Sequence, residues 1–162
     1  MQIRKATADE MLNLWGYRDI SAASPTAKFF YSNISSGNAV FWTLAHSGEL
    51  IGELYAFLNI KGEEDFADGI TTAYLCAFRV EKKYQGQGLG SKLMNAVLAD
   101  LKLCGFQYAT IGVGLNEERN LRIYDHMGFS KKIKNCYFDP CSMDENMKPQ
   151  CDEGFLLLSK QL

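Results

Sequence analysis

The stretch that most constrains this chain is Tyr84-Gln85-Gly86-Gln87-Gly88-Leu89-Gly90-Ser91, set between an apolar run, residues 73–78, and a helical pattern, residues 89–104. Glycines at alternate positions let the backbone turn tightly and leave its N–H groups uncovered by side chains. Those groups stand at a helix start, where the first four donors lack intrahelical acceptors and the macrodipole is positive. A strand, a glycine turn and a bare helix N-terminus make a site for phosphate oxygens.

The spacing narrows the ligand. A Walker A loop needs Gly-x-x-x-x-Gly-Lys followed by Ser or Thr, whereas here Ser91 precedes Lys92 and the glycines fall wrongly. A dinucleotide fingerprint needs Gly-x-Gly-x-x-Gly with an acidic residue about 20 positions on. Gly86-x-Gly88-x-Gly90 is one residue short, and Asp100 comes too early, inside the following helix. What remains is Gln-x-x-Gly-x-Gly, carried by Gln85, Gly88 and Gly90.

At 162 residues the chain fits one domain, 1–162, and is long enough to bury a core. Its 47% hydrophobic and 22% charged residues are ordinary for a globular protein. A net charge of −2 argues against nucleic-acid binding through a basic surface. No uninterrupted apolar run exceeds residues 73–78, far below a membrane span, and the N-terminus shows no secretory h-region. Five cysteines, an odd number without a short-spaced framework, read as reduced thiols and a cytoplasmic location.

Along the chain, residues 2–6 alternate as a short strand. Thr7 with Glu10 forms a capping box for a helix carrying Met11, Leu12, Leu14 and Trp15. A second helix begins near Ser24-Pro25. Residues 39–45 and 49–58 read as a hairpin turned at His46-Ser47-Gly48. Residues 61–69 form an acidic loop, and 70–80 a long strand entering the glycine loop. Gly105 caps the helix that follows, and residues 106–113 form a buried strand, so strand, helix and strand imply parallel pairing. Asn116 or Asn120 opens another helix ending at Gly128. Residues 129–138 form a strand, 139–153 a polar loop and 154–158 a last strand.

These features together resemble the GCN5-related N-acetyltransferase (GNAT) superfamily. Gln85-x-x-Gly88-x-Gly90 is similar to its pyrophosphate loop, Ile3-Arg4-x-Ala6-Thr7 to its first strand, and Asn120 to Phe129 to its late signature, with Tyr124 four residues before Gly128-Phe129. The resemblance implies an α/β (α+β) fold with a central mixed, mostly antiparallel sheet of about seven strands and about four helices. It implies an acyltransferase that moves the acetyl group of acetyl-CoA to an amine by direct attack. The partners expected are acetyl-CoA and a small-molecule primary amine, with no nucleic acid and no membrane, and a homodimer is allowed. Acetylation of a protein N-terminus or lysine, and a non-catalytic acyl-CoA sensor, are the alternatives.

Residue by residue, the resemblance implies that the N–H groups of Gln85, Gly86, Gln87, Gly88, Leu89, Gly90 and Ser91 hold the pyrophosphate. The backbone of Phe78, Arg79 and Val80 would pair with the pantetheine arm like an added strand. Tyr124 would be the general acid, since a phenol of pKa about 10 is protonated at neutral pH. Either Asn116 or Asn120 would meet the pantetheine. The strand carboxylate that some members use as base is missing from Thr71-Thr72-Ala73, which leaves Glu53 or a water chain; a Glu at such a position is more often a solvated residue.

Cys76 reads as a packed thiol rather than a nucleophile. Cys136, Cys141 and Cys151 lack a fourth ligand, so no metal is expected. Acidic residues in 61–69 and 139–153 would attract a cationic acceptor if both loops overhang the pocket, and are solvated if they do not.

Overall fold

Local sequence signals start most of the elements. In the structure, a computed structural model describing residues 1–162, β1 (Gln2–Ala6) ends at Thr7. The Thr7 hydroxyl accepts from the Glu10 N–H at 3.2 Å and the Glu10 carboxylate from the Thr7 N–H at 2.8 Å. This capping box starts α1 (Ala8–Leu14), as the sequence suggests. Ser24 caps α2 (Pro25–Ser36), which Gly37 ends in a left-handed conformation, φ 83°. β2 (Ala39–His46) and β3 (Glu49–Phe57) make a hairpin through Ser47 and Gly48, both with positive φ.

β4 (Thr72–Val80), α3 (Leu89–Leu103) and β5 (Tyr108–Gly114) form the expected strand–helix–strand unit, with β4 and β5 parallel. α4 (Glu118–His126), β6 (Lys131–Met143) and β7 (Pro149–Gln161) complete one seven-stranded sheet of order β1-β2-β3-β4-β5-β7-β6. Every neighbouring pair except β4–β5 is antiparallel. The mixed fold with seven strands and four helices is therefore present. No helix is long and apolar enough to cross a membrane.

The expected polar loop at 139–153 is a correction. Most of it belongs to the β6–β7 hairpin, which turns only at residues 144–148. Three register irregularities and Pro140 break the alternation that would mark a strand in sequence. β7 likewise runs from Pro149 to Gln161, well beyond 154–158.

Each sheet face carries a core. Leu93, Met94 and Val97 of α3 are fully buried against Leu54, Leu75 and Ile111. On the other face, Met11 of α1 and Ala27 and Phe30 of α2 pack with Phe41, Tyr55 and Phe57. A Leu, Met or Val side chain buried this fully contributes about 1.5–3 kcal/mol.

Two irregularities at the centre of the sheet matter for the site. Parallel pairing of β4 with β5 runs from Thr72–Tyr108 to Leu75–Ile111, and then the strands part. Beyond that point β4 stays with β3, and β5 stays with β7 as far as Gly114–Phe155. At the same level β4 bulges: from Tyr55–Cys76 to Glu53–Arg79, β3 advances two residues and β4 three. Ala77, at φ 52°, is the extra residue. The bulge reverses the side-chain alternation. Tyr74 and Cys76 belong to the α1/α2 face, whereas Phe78 and Val80 pack on the α3/α4 face.

A β-branched residue is strained at positive φ, and glycine is not. Ala77→Val is expected to lower stability by about 1–2 kcal/mol, while Ala77→Gly keeps or slightly raises it. Urea denaturation of the two variants checks this.

Candidate active site

The glycine loop has the geometry of an oxyanion cradle. Gly86 and Gly88 both sit at φ 77°, which side-chain-bearing residues rarely adopt. Gly90 is needed for a different reason: a Cβ there would come within 3.2 Å of the Phe78 ring. Gly88 stands at the N-cap of α3 without a side-chain cap. No hydrogen bond within the chain takes the N–H of any residue from 86 to 91. Six unpaired donors thus lie at the positive end of a 15-residue helix. Gln85 fixes the loop to the preceding strand, its Nε2 donating to the Val80 carbonyl at 2.8 Å.

This cradle opens into a cavity of about 410 Å³ between the end of β4 and α4. Of the residues singled out in the sequence, Phe78, Arg79, Val80, Gln85, Gly86, Gly88, Leu89, Gly90, Ser91, Asn120 and Tyr124 line it. Gln87 does not, and Asn116 lines a second cavity instead. Sequence reasoning missed Tyr84, Arg119, Ile123 and Met127, which also line the first. Helical spacing could have found three of them, since residues 119, 120, 123, 124 and 127 recur on one side of α4 and its C-terminal cap. Arg119 and Arg122 make no salt bridge within the chain and border a shallow neighbouring hollow.

Tyr124 is buried, its ring packed near Phe78 and Phe129 at centroid distances of 6.5 and 6.3 Å. Its hydroxyl has no protein partner and is not sealed from the cavity. Burial, aided by the negative charge of Glu117, pushes its pKa up to about 12. Glu117 precedes α4 and accepts from the Gly114 N–H at 3.0 Å and from Asn120 at 3.4 Å.

Glu53 differs from the solvated residue that sequence reasoning favoured. It is 5% exposed, and its carboxylate accepts from Trp15 Nε1 at 2.9 Å, the Tyr55 hydroxyl at 2.7 Å and Arg79 Nε at 2.9 Å. Its carboxylate is taken up by these three donors, and Glu53 lines neither of the two main cavities. It ties α1, β3 and the bulged part of β4 together. Its role is structural.

The second cavity, about 570 Å³, lies on the α1/α2 face beside the parted ends of β4 and β5. Tyr74, Gly112 and Phe155 line it, with Glu117, Asp139, Asp152 and Glu153. The glycine at 112 makes room: a Cβ would come within 2.9 Å of the Phe155 ring. Burial raises the pKa of Asp139, although its Oδ1 accepts the Cys141 N–H at 2.9 Å.

The two acidic segments behave differently. In 61–69, Lys134 pairs with Glu63 and Asp65, and Asp68 accepts from residues 70–72. Only the second segment leaves carboxylates on a cavity. All five cysteines are free; Cys136 and Cys141 are buried, Cys151 is exposed, and Cys76 packs against the α1/α2 core.

The model of the acetyltransferase (GNAT) family matches residues 6–129. A probable spermine N(1)-acetyltransferase of Bacillus subtilis subsp. natto (strain BEST195) is 34% identical over 89 residues, 53% of this chain and 56% of that protein. The chain thus spans about half the length of the curated relatives it matches. Arabidopsis thaliana NAA60 in complex with acetyl-CoA superposes with a TM-score of 0.70 at 19% identity, covering 99% of this chain and 98% of that one. A GNAT family acetyltransferase from Elizabethkingia anophelis with acetyl-CoA bound gives 0.64 at 20% identity, covering 99% and 97%.

Two outcomes follow from the buried polar groups. Glu53→Ala strands the Trp15 and Tyr55 donors and is expected to cost about 3 kcal/mol. Arg79→Met, at a half-exposed partner, should cost less than about 1 kcal/mol. Thermal or urea unfolding compares them. Burial pushes the Tyr124 pKa up to about 12 and raises those of Tyr55 and Tyr74 as well. Their contribution is intact below the unfolded pKa of about 10 and is lost as pH rises, with Tyr124 alone removing about 2 kcal/mol by pH 12. Stability measured from pH 9 to 12 should fall steeply only above 10.

Proposed function

The chain belongs to the acetyltransferase (GNAT) family, and from that premise we propose that it transfers the acetyl group of acetyl-CoA to a primary amine of a small-molecule acceptor. The observation that carries the reading is the uncapped start of α3, with six free N–H groups, five of them on residues that line a cavity also lined by the unpartnered Tyr124. These residues fit the donor. The N–H groups of 86–91 suit a pyrophosphate, Arg119 and Arg122 supply free cationic groups beside it, and the parted edge of β4 at Phe78, Arg79 and Val80 suits a pantetheine arm. Asn120 is on the donor side and Asn116 on the other, so Asn120 is assigned the contact.

Acetyl-CoA supplies a thioester, whose carbonyl carbon is open to a neutral amine. The chain's own contribution is placement and proton control. Tyr124, with its pKa raised, stays protonated at neutral pH and donates to the departing sulfur. Glu53 lines neither of the two main cavities and its carboxylate is taken by three donors, so the proton released from the attacking nitrogen is assigned to solvent rather than to Glu53. The acceptor enters from the α1/α2 face through the second cavity, so donor and acceptor meet where β4 and β5 separate. The similarity to a probable spermine N(1)-acetyltransferase supports a small amine over a protein substrate.

Acetyl-CoA at 100 times its Kd should stabilise the protein by about 2.7 kcal/mol, several degrees in Tm. Gly88→Asp should abolish that shift through strain and repulsion. An amine panel should release free CoA thiol, and peptides should not; release by peptides alone would overturn the small-molecule reading. Tyr124→Phe should lower kcat by about 10²–10⁴-fold and leave the Tm shift intact.

A further inference from the structure

We propose that the second cavity is a binding site for a flexible organic dication, an alkyl diamine or polyamine, held by Tyr74 and Asp139 at its floor and by Asp152 and Glu153 at its mouth. The proposal deepens the acetyl-transfer reading and rests on it for the direction in which the amine points.

Three independent observations support the site. Tyr74 is only 5% exposed and its ring is fixed edge-on to Phe66 at 5.0 Å, yet its hydroxyl has no partner within the chain and faces the cavity. The ring is buried but the hydroxyl oxygen is open to the cavity, where it is free to accept from or donate to whatever occupies it. Secondly, the carboxylates here have no counter-cation. Asp139, Asp152 and Glu153 pair with no Lys or Arg, and what sets them apart from other unpaired acids is that they share one cavity that no Lys or Arg lines. Asp139 is also half-buried, where an uncompensated charge is disfavoured.

Thirdly, the acids lie at two depths. Asp139 is near the buried Tyr74, while Asp152 and Glu153 are exposed at the rim, with Leu115 and the Phe155 ring also in the lining. One ammonium would satisfy only one level. Two ammonium groups joined by an alkyl chain satisfy both, the chain running along the apolar wall. The floor is next to Gly112, one residue beyond the last β4–β5 pair, so the inner nitrogen is the one presented to the acetyl donor, and it attacks as the neutral amine after its ammonium proton has passed to solvent.

The test compares 1,4-diaminobutane with butylamine, which has the same chain and one charge. Thiol release with acetyl-CoA should favour the diamine by about 10- to 100-fold in kcat/KM. Asp139→Asn keeps an acceptor for the Cys141 N–H and removes a desolvated charge, so it should fold with unchanged or higher Tm and still bind acetyl-CoA. It should raise KM for the diamine at least about tenfold. Asp152→Asn with Glu153→Gln should shrink the diamine-over-butylamine preference.

Equal use of the two amines, or wild-type diamine KM in both variants, overturns the proposal. Calorimetric titration with 1,4-diaminobutane separates the two readings. Asp139-dependent binding without thiol release from any amine upholds the cation site and overturns acetyl transfer. Thiol release with diamine binding that ignores the substitutions does the reverse.

Discussion

The bulge at Ala77 is the constraint on which the rest of the site depends. An unbroken β4 would place Phe78 and Val80 on the same face as Tyr74 and Cys76. One extra residue sends Phe78 and Val80 to the α3 side instead, where the Phe78 ring meets Gly90 of the glycine loop and lies 6.5 Å from Tyr124. The same residue marks where β4 leaves β5. The bulge costs backbone strain at a non-glycine residue with positive φ, and the Glu53 network opposes its relaxation. Arg79, just past the bulge, is bonded to a carboxylate that Trp15 and Tyr55 also hold.

From this follows a sheet open at its centre, with a chemically different cavity on each face. The α3/α4 side offers backbone donors, a helix N-terminus and arginines, and is suited to anions. The α1/α2 side offers carboxylates and a phenol, and is suited to cations. Glu117 spans the two: it lines the acidic cavity, while its charge helps to raise the Tyr124 pKa. Opposite charge preferences on the two faces would keep an anionic ligand and a cationic one from occupying each other's place.

Much of this was legible in the chain. The capping box at Thr7, the Ser24-Pro25 helix start, the Ser47-Gly48 hairpin and the strand–loop–helix unit around Gly88 are all encoded by neighbouring residues and are where the sequence puts them. The β6–β7 hairpin was not, because bulges and Pro140 hide its alternation and its polar outer residues look like a loop. Glu53 was misjudged for a related reason. A lone carboxylate in a strand is usually solvated, and its three partners come from positions 15, 55 and 79.

The glycine loop and Tyr124 are matters of local sequence: glycine tolerates positive φ, a helix start exposes its donors, and helical spacing sets Tyr124 beside Asn120. The sequence by itself therefore determined the family and the local geometry of the glycine loop and α4. Tertiary structure alone decided which acids count. Lys134 neutralises Glu63 and Asp65 across the fold, whereas Asp139, Asp152 and Glu153 meet no cation and converge with the unpartnered Tyr74 hydroxyl on one cavity. Charge pairing and burial depend on which distant segments pack together, and no spacing along the chain encodes that.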